Sequence, residues 1–285
     1  MLGWLIYDSS SAAYNIGYVN LYLEEAKKRE IDLRLIFVES LDFGIRDGRP
    51  YLVYEKEETQ IPDFAINRLI YPLLSEHLEA MGVKVFNNSR VSRICNDKAR
   101  TCLEVSKAGV PMADTRFLKR EYMPELLRGE TFPKVMKTVN GHGGKQVSLL
   151  TEAPDPVPEM YTMDDSVLQP LIGSRHQDLR VYMIGKKVLA AALRTAREGF
   201  RSNYSLGGEA ALYTLSEEEE QTIAKISDLF DFGLVGIDFI IGDDGKLIFN
   251  EIEDVVGSRM LYALTNINVA ERYMDYILGE GMKQT

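Results

Sequence analysis

Short apolar runs alternate with helical patterns through the first 95 residues, and this alternation constrains the fold more than any other feature of the chain. Trp4–Tyr7 reads as a strand, and Tyr14–Glu30 as a helix with Tyr18, Leu21 and Tyr22 on one face. Leu33–Val38 and Phe64–Asn67 read as two further strands. Ile70–Met81 reads as a helix stopped by Gly82, and Val83–Phe86 as a fourth strand. Strands separated by helices pair in parallel through crossover connections. Residues 1–95 are therefore expected to form an α/β N-terminal domain around a small parallel sheet.

The texture changes after that point. Asp97 is placed to cap a helix through Cys102, and Gly109 with Pro111 is a helix stop. Pro133–Val139 and Val147–Leu150 read as strands joined by a glycine loop, and a Pro- and acid-rich connector, Glu152–Glu159, follows. Val167–Ile172, Leu179–Ile184 and Lys187–Leu193 read as strands. Ser216 with Glu219 forms a capping box that opens a helix burying Ile223, Ile226, Leu229 and Phe230. Val235–Ile241 and Lys246–Ile252 are the last two strands, joined by a Gly-Asp-Asp-Gly turn. The expectation is an α+β domain over 96–285, in two parts of about 96–170 and 171–285.

Charge and length exclude several classes. The chain has 285 residues with 33 Lys and Arg against 43 Asp and Glu, a net charge of −10. General nucleic-acid binders need a basic surface to neutralise phosphates, so nucleic acid is not the expected partner. Apolar stretches such as Val188–Leu193 fall far short of the roughly 20 residues that span a bilayer. The start, MLGWLIYD, has no basic segment of the signal-peptide kind. Cys95 and Cys102 make neither a disulfide framework nor a metal knuckle. The expected compartment is the cytoplasm, without membrane attachment.

Three constellations carry chemistry. Lys137 precedes a loop of Gly141, His142, Gly143 and Gly144, and glycines let backbone N–H groups approach phosphate oxygens. The loop matches neither a Walker nor a Rossmann motif, since no helix follows it; a flexible hairpin is the competing reading. Asp238 lies within an apolar strand, with Glu251 and Glu253 on the next and Asp254 beyond. Glu251 and Glu253 are two apart and so share a strand face. Three such carboxylates suit Mg²⁺ together with a phosphate-bearing substrate, whereas a solvated acidic edge is the plainer alternative. Third, Asp178, Arg180, Arg194, Arg197, Arg201 and Asn203 lead into Gly207-Gly208. Arginine recognises phosphate or carboxylate in a bidentate manner, unless these arginines serve only to pair with the protein's own acids. His77 and His176 show no partner pattern, and with three His in all a zinc site is not expected.

Taken in order, these elements resemble the ATP-grasp superfamily, most closely its RimK-like carboxylate–amine ligases. The stretch from Arg194 to Gly208 carries most of the resemblance. Gly236-Ile-Asp238, the pair Glu251/Glu253, Asp97-Lys98 with Gly109-Val-Pro111, and Lys137 ahead of the glycine loop add to it. The resemblance implies that Lys98 and Lys137 contact ATP phosphates, that Gly141–Gly144 with His142 folds over them, and that Gln169-Pro170-Leu171-Ile172 holds adenine with Asp178 near the ribose. It implies further that Arg201 and Asn203 face the triphosphate and the reacting carboxylate, with Arg180 and Arg194 nearby as catalytic residues. Asp238, Glu251 and Glu253 would hold Mg²⁺, with Mn²⁺ as a substitute. Glu253 stands where the family usually has Asn, and the run after Asp254 lacks the usual Pro. The implied activity is ADP-forming ligation of a carboxylate to an amine through an acylphosphate, adding an amino acid such as glutamate to a peptide, protein or amino acid. An ATP-grasp kinase or a non-catalytic ATP-binding regulator are the alternatives. The expected partners are small-molecule, amino-acid or peptide substrates, and the chain itself as a dimer or tetramer.

Overall fold

A computed structural model describes residues 1–143, 146–196 and 209–281. The chain begins with β1 (Leu2–Tyr7), α1 (Ser9–Tyr14), α2 (Ile16–Lys28) and β2 (Asp32–Phe37). It continues through β3 (Leu41–Arg46), β4 (Arg49–Tyr54), β5 (Glu57–Glu58), β6 (Phe64–Asn67), α3 (Pro72–Ala80) and β7 (Lys84–Phe86). Next come α4 (Ser89–Cys95), α5 (Lys98–Val105), β8 (Arg116–Leu118), α6 (Met123–Leu127), β9 (Lys134–Thr138), β10 (Val147–Leu150), α7 (Glu159–Thr162) and β11 (Ser166–Pro170). The last elements are β12 (Gln177–Ile184), β13 (Lys187–Thr195), β14 (Glu209–Tyr213), α8 (Glu217–Ser227), β15 (Leu234–Ile241), β16 (Leu247–Glu253), α9 (Arg259–Leu264) and α10 (Val269–Tyr276).

These strands form separate sheets. The first has the order β2-β1-β6-β7 with every pair parallel, as the alternation predicts. The second, β10-β9-β11-β8, and the third, β14-β13-β12-β15-β16, are antiparallel. A three-stranded meander, β3-β4-β5, is additional. Its signal lies in the sequence: Asp47-Gly48 between two strand-length runs, with φ of 50° and 74°, is the left-handed pair that tight hairpins require. The expected helix Tyr14–Glu30 forms as the second of two helices, α2 over Ile16–Lys28, behind the short α1, which the sequence pattern does not mark. Asp8 caps the first by accepting from the Ser11 amide, and Asn15 ends it with its side chain on the Ser11 carbonyl. The capping box at Ser216 and Glu219 forms as read, with both reciprocal bonds present.

Apolar packing joins the layers. One core links the first sheet to the third: Leu5, Phe64 and Tyr22 meet Tyr182, Leu234 and Tyr273 across α2 and α10. A second covers the far face of the third sheet, where Leu179, Val181, Ile237 and Phe239 pack on Ile223, Ile226 and Phe230 of the α8 region. A smaller core under the second sheet holds Met123, Met136 and Tyr161. No helix among the described residues is long and apolar enough to cross a membrane.

Candidate active site

The third sheet sorts its residues by parity. On β12, Leu179, Val181 and Met183 enter the core, which leaves Asp178 and Arg180 on the opposite face. On β15, Val235, Ile237 and Phe239 enter the core, which leaves Asp238 with Arg180, its cross-strand partner. Strand β16 breaks the rule. Phe249 pairs with Phe239 and Glu251 with Asp238, so Asn250 is an extra residue in a bulge. Phe249 and Glu251 are two apart and would share a face in a regular strand. The bulge lets Phe249 enter the core while Glu251 joins Asp238.

Asp238 is the centre of this face, 1 % exposed. Arg180 donates to both of its oxygens, at 2.8 and 2.6 Å, and Arg194 donates to one at 2.8 Å. Arg180 also reaches Glu253 at 2.7 Å, and Arg194 pairs with Asp178. Burial alone would raise the pKa of Asp238, but the two guanidinium groups bring it down to about 2. Burial raises that of Glu253, with repulsion from Asp238 and Glu251 adding to it and Arg180 opposing. One carboxylate oxygen each from Asp238, Glu251 and Glu253 lies within 4.8 Å of the others. These are hard oxygen donors, and the set fits a divalent cation such as Mg²⁺. Asp254 turns away and accepts from the side chains of Asn87 and Asn96.

The second sheet supplies the facing wall. Lys137, on β9, is buried and donates to Asn250 Oδ1 at 2.7 Å. Burial pushes the pKa of Lys137 down, Lys98 adds repulsion, and Glu251 opposes both. Lys98 opens α5 behind its Asp97 cap; its Nζ lies 3.4 Å from Glu251 and donates to the Gly141 carbonyl. A Cβ on Gly141 would come within 2.5 Å of Thr138 Oγ1, so this turn of the loop excludes side chains.

A cleft between the two sheets gathers most of the residues expected for a nucleotide. Lys98, Lys137, Gly141, Gly143, Gln169, Pro170, Leu171, Ile172, Asp178 and Glu251 all line it. Ala113, Val135, Val147 and Ile240 add an apolar lining that the sequence pattern does not single out; Asn250 lines it as well, and so does His176, which the sequence sets aside for want of a partner pattern. Gln169 is held by its amide on Thr115 Oγ1 at 2.9 Å. His142 lies outside this cleft, on a neighbouring cavity with Asp8 and Ser11; burial beside Lys98 lowers its pKa. Arg180 and Arg194 lie outside it too, in ion pairs with the protein's own acids, along the wall of a second cavity with Glu253. Gly144, Arg197, Arg201, Asn203, Gly207 and Gly208 fall outside the described residues.

The model of the RimK-like ATP-grasp domain matches residues 95–277, more than half of the chain. The chain belongs to the RimK-like ATP-grasp family. Human beta-citrylglutamate synthase B is 28 % identical over 270 residues, covering 87 % of this chain and 69 % of that one. Human N-acetylaspartylglutamate synthase A is 26 % identical over 273 residues, covering 90 % and 70 %. Among solved structures, the ATP-grasp ligase PsnB, complexed with a phosphomimetic variant of its minimal precursor, Mg and ADP, superposes with a TM-score of 0.70. It does so at 17 % identity over 98 % of both chains, which is a likeness of fold. As a RimK-like ATP-grasp protein the chain is an ADP-forming ligase that makes carbon–nitrogen bonds. ATP and Mg²⁺ are what such ligases use, in keeping with the cleft and the carboxylate set.

Proposed function

We propose that this enzyme joins a carboxylic acid to the amino group of glutamate or a glutamate-like amino acid, forming an amide at the expense of ATP. The observation that carries the reading is the position of the carboxylate set. Glu251 faces the cleft of Lys98 and Lys137, while Glu253 faces the second cavity. A nucleotide in the first and an acid in the second would meet there. The two human relatives are named for glutamate conjugates, which supports glutamate as the amine.

Each group then has a task. Adenine would lie among Val135, Val147 and Ile240 beside Gln169–Ile172, with Asp178 toward the ribose. Lys98 and Lys137 would balance phosphate charge, and the loop from Gly141 to Gly144 would exclude water from a readily hydrolysed acylphosphate. Asp238, Glu251 and Glu253 would hold Mg²⁺, or Mn²⁺ in its place, which would supply the charge neutralisation that brings two anions together. Arg180 and Arg194 keep Asp238 ionised and oriented. The acid oxygen attacks the γ-phosphorus and ADP leaves; the amine then attacks the acyl carbon, phosphate departs and the nitrogen loses a proton. Arg201 and Asn203 are proposed to face that reaction centre. The division into 1–95 and 96–285, the latter parted near 170, is proposed as the division of labour, supported by the separate sheets and by the family match beginning at 95.

The test is phosphate release from Mg-ATP across a matrix of acids with L-glutamate, with mass spectrometry of each product. Free phosphate with a product one condensation heavier is the expected result. A product heavier by one phosphate, without free phosphate, would replace the ligase by a kinase. Nucleotide binding without turnover in any mixture would favour a regulator.

A further inference from the structure

Beyond the carboxylate set lies the second cavity, about 740 Å³, between α2 and the loop that leads into α9. Arg180, Arg194 and Glu253 form its wall toward the reaction centre. Two further arginines, Arg68 and Arg259, line it, and neither makes an ion pair among the described residues.

Arg68 follows β6 directly. Strands β1 and β6 are parallel neighbours, and the chain leaves them in opposite directions, toward β2 and β7. The carboxyl ends of such a pair bound the crevice where open α/β sheets bind ligands. Arg68 stands in that crevice. Its guanidinium sits 5.6 Å from the centroid of Tyr18, and one nitrogen donates to the Val256 carbonyl at 2.9 Å. Its Nε is buried with no hydrogen-bond partner. Asp254 feels its charge but is engaged by Asn87 and Asn96. Arg259 stacks 4.1 Å from the centroid of Tyr14 and donates to Tyr14 Oη at 2.7 Å and to Asn15 Oδ1 at 3.0 Å. The Tyr7 hydroxyl also faces Arg68 as a hydrogen-bond partner, and all of these acceptors are neutral.

A half-buried guanidinium whose Nε is buried with neither a hydrogen-bond partner nor a paired carboxylate is costly to the fold, because that part of the charge has lost its water. Arg180 and Arg194 avoid that cost through Asp178, Asp238 and Glu253; Arg68 does not. We propose that Arg68 binds a second, non-reacting carboxylate of the acid this enzyme activates, with Arg259 reinforcing it at the mouth. The substrate class is a compact di- or tricarboxylic acid. One carboxylate is anchored at Arg68, which leaves another to reach the end of the cavity formed by Arg180, Arg194 and Glu253. This inference rests on the ligase reading for the identity of the reaction, and on the cavity alone for the binding site.

The test uses the full chain with Mg²⁺ and a non-hydrolysable ATP analogue. Calorimetry would follow binding of citrate, N-acetyl-L-aspartate and glutarate, with the monoacid N-acetyl-L-alanine as control. At least one polyacid is expected to bind the wild type. Arg68→Gln should weaken it roughly 10- to 100-fold, the scale of one charge-assisted contact, with nucleotide binding unchanged and the monoacid unaffected. Arg68→Lys should restore part of the loss, since it keeps the charge without the fork. Arg259→Gln, which replaces a side chain at the exposed mouth, should weaken the same polyacid by a smaller factor and gives a second reading independent of the half-buried position. No polyacid binding to the wild type, or equal binding to wild type and Arg68→Gln, would overturn the assignment. The ligase reading is judged separately, by condensation with L-glutamate under ATP. Polyacid binding lost in Arg68→Gln without any condensation would sink the ligase and keep the site. Condensation with an unchanged polyacid KM in Arg68→Gln would do the reverse.

Discussion

Lys137 Nζ donates to Asn250 Oδ1 at 2.7 Å, so a cation from the second sheet is seated on the bulge of the third. This bond spans the cleft and fixes the ammonium beside Glu251. Because burial lowers its pKa, the native state holds the charged form less readily than the unfolded chain. The charge therefore subtracts stability at every pH below the ordinary lysine value of 10.5. Lys137→Met is thus expected to melt at or above the wild-type temperature, while kcat/KM for ATP falls by about 10²–10³, the scale of one lost electrostatic contact. Loss of cooperative melting in that variant would instead make Lys137 a structural residue.

Asp238 is predicted to be structural as well as metal-binding. Asp238→Asn leaves Arg180 and Arg194 without their shared anion and should cost about 3–5 kcal/mol in urea unfolding at pH 7. Its depressed pKa sets the acid limb. The stability it contributes is complete above its ordinary value of 3.8 and is lost as pH falls through about 2. Wild-type stability should fall more steeply than that of the Asn variant between pH 4 and 2, and parallel curves would contradict the role given to the two arginines.

Much of this site is legible in the sequence, and what is not has physical causes. Apolar runs mark β1, β6, β12 and β15 because those strands are buried on both faces or on one, and Asp238 stands out as a lone charge in such a run. The spacing of Glu251 and Glu253 correctly gives a shared face, but counting by twos places Phe249 there as well. Only the bulge at Asn250, a tertiary feature, separates them. The ion pairs of Arg180 and Arg194 depend on cross-strand register, which a linear reading does not contain. Arg68 carries no local signal at all: it is one cation after a short strand, and only the strand order β2-β1-β6-β7 places it in a crevice. The meander was signalled by Asp47-Gly48 and hidden by the polar residues around it.

Glu253 adds a third carboxylate beside Asp238 and Glu251, and Glu253→Gln isolates what its charge does. Burial and two neighbouring carboxylates raise its pKa, so its favourable contribution is complete below its ordinary value of 4.5 and is lost as pH rises through the folded value. Arg180 keeps its two bonds to Asp238 in the variant. The Gln form should therefore gain on the wild type as pH climbs from 5 to 8, by roughly 1 kcal/mol or less, a shift of about 2–4 °C at most. Thermal melts across that range check it; a Gln variant that falls progressively behind the wild type would show that the contact with Arg180 outweighs the repulsion.

Glu251 is the carboxylate at which the proposed metal binding separates most cleanly from folding. It is half-buried, and its ion pair among the described residues is the long one with Lys98 at 3.4 Å. Replacing it leaves no buried arginine unpaired, unlike the loss of Asp238. Glu251→Gln should unfold within about 1 kcal/mol of the wild type, yet lose the additional thermal stabilisation that Mg²⁺ gives to the nucleotide complex over nucleotide alone. With ATP turnover falling by at least about 10² and the fold intact, the metal would be placed at this carboxylate set. A variant that still gains the full Mg²⁺-dependent shift would move the ion elsewhere, and with it the junction of the two cavities on which the ligase reading stands.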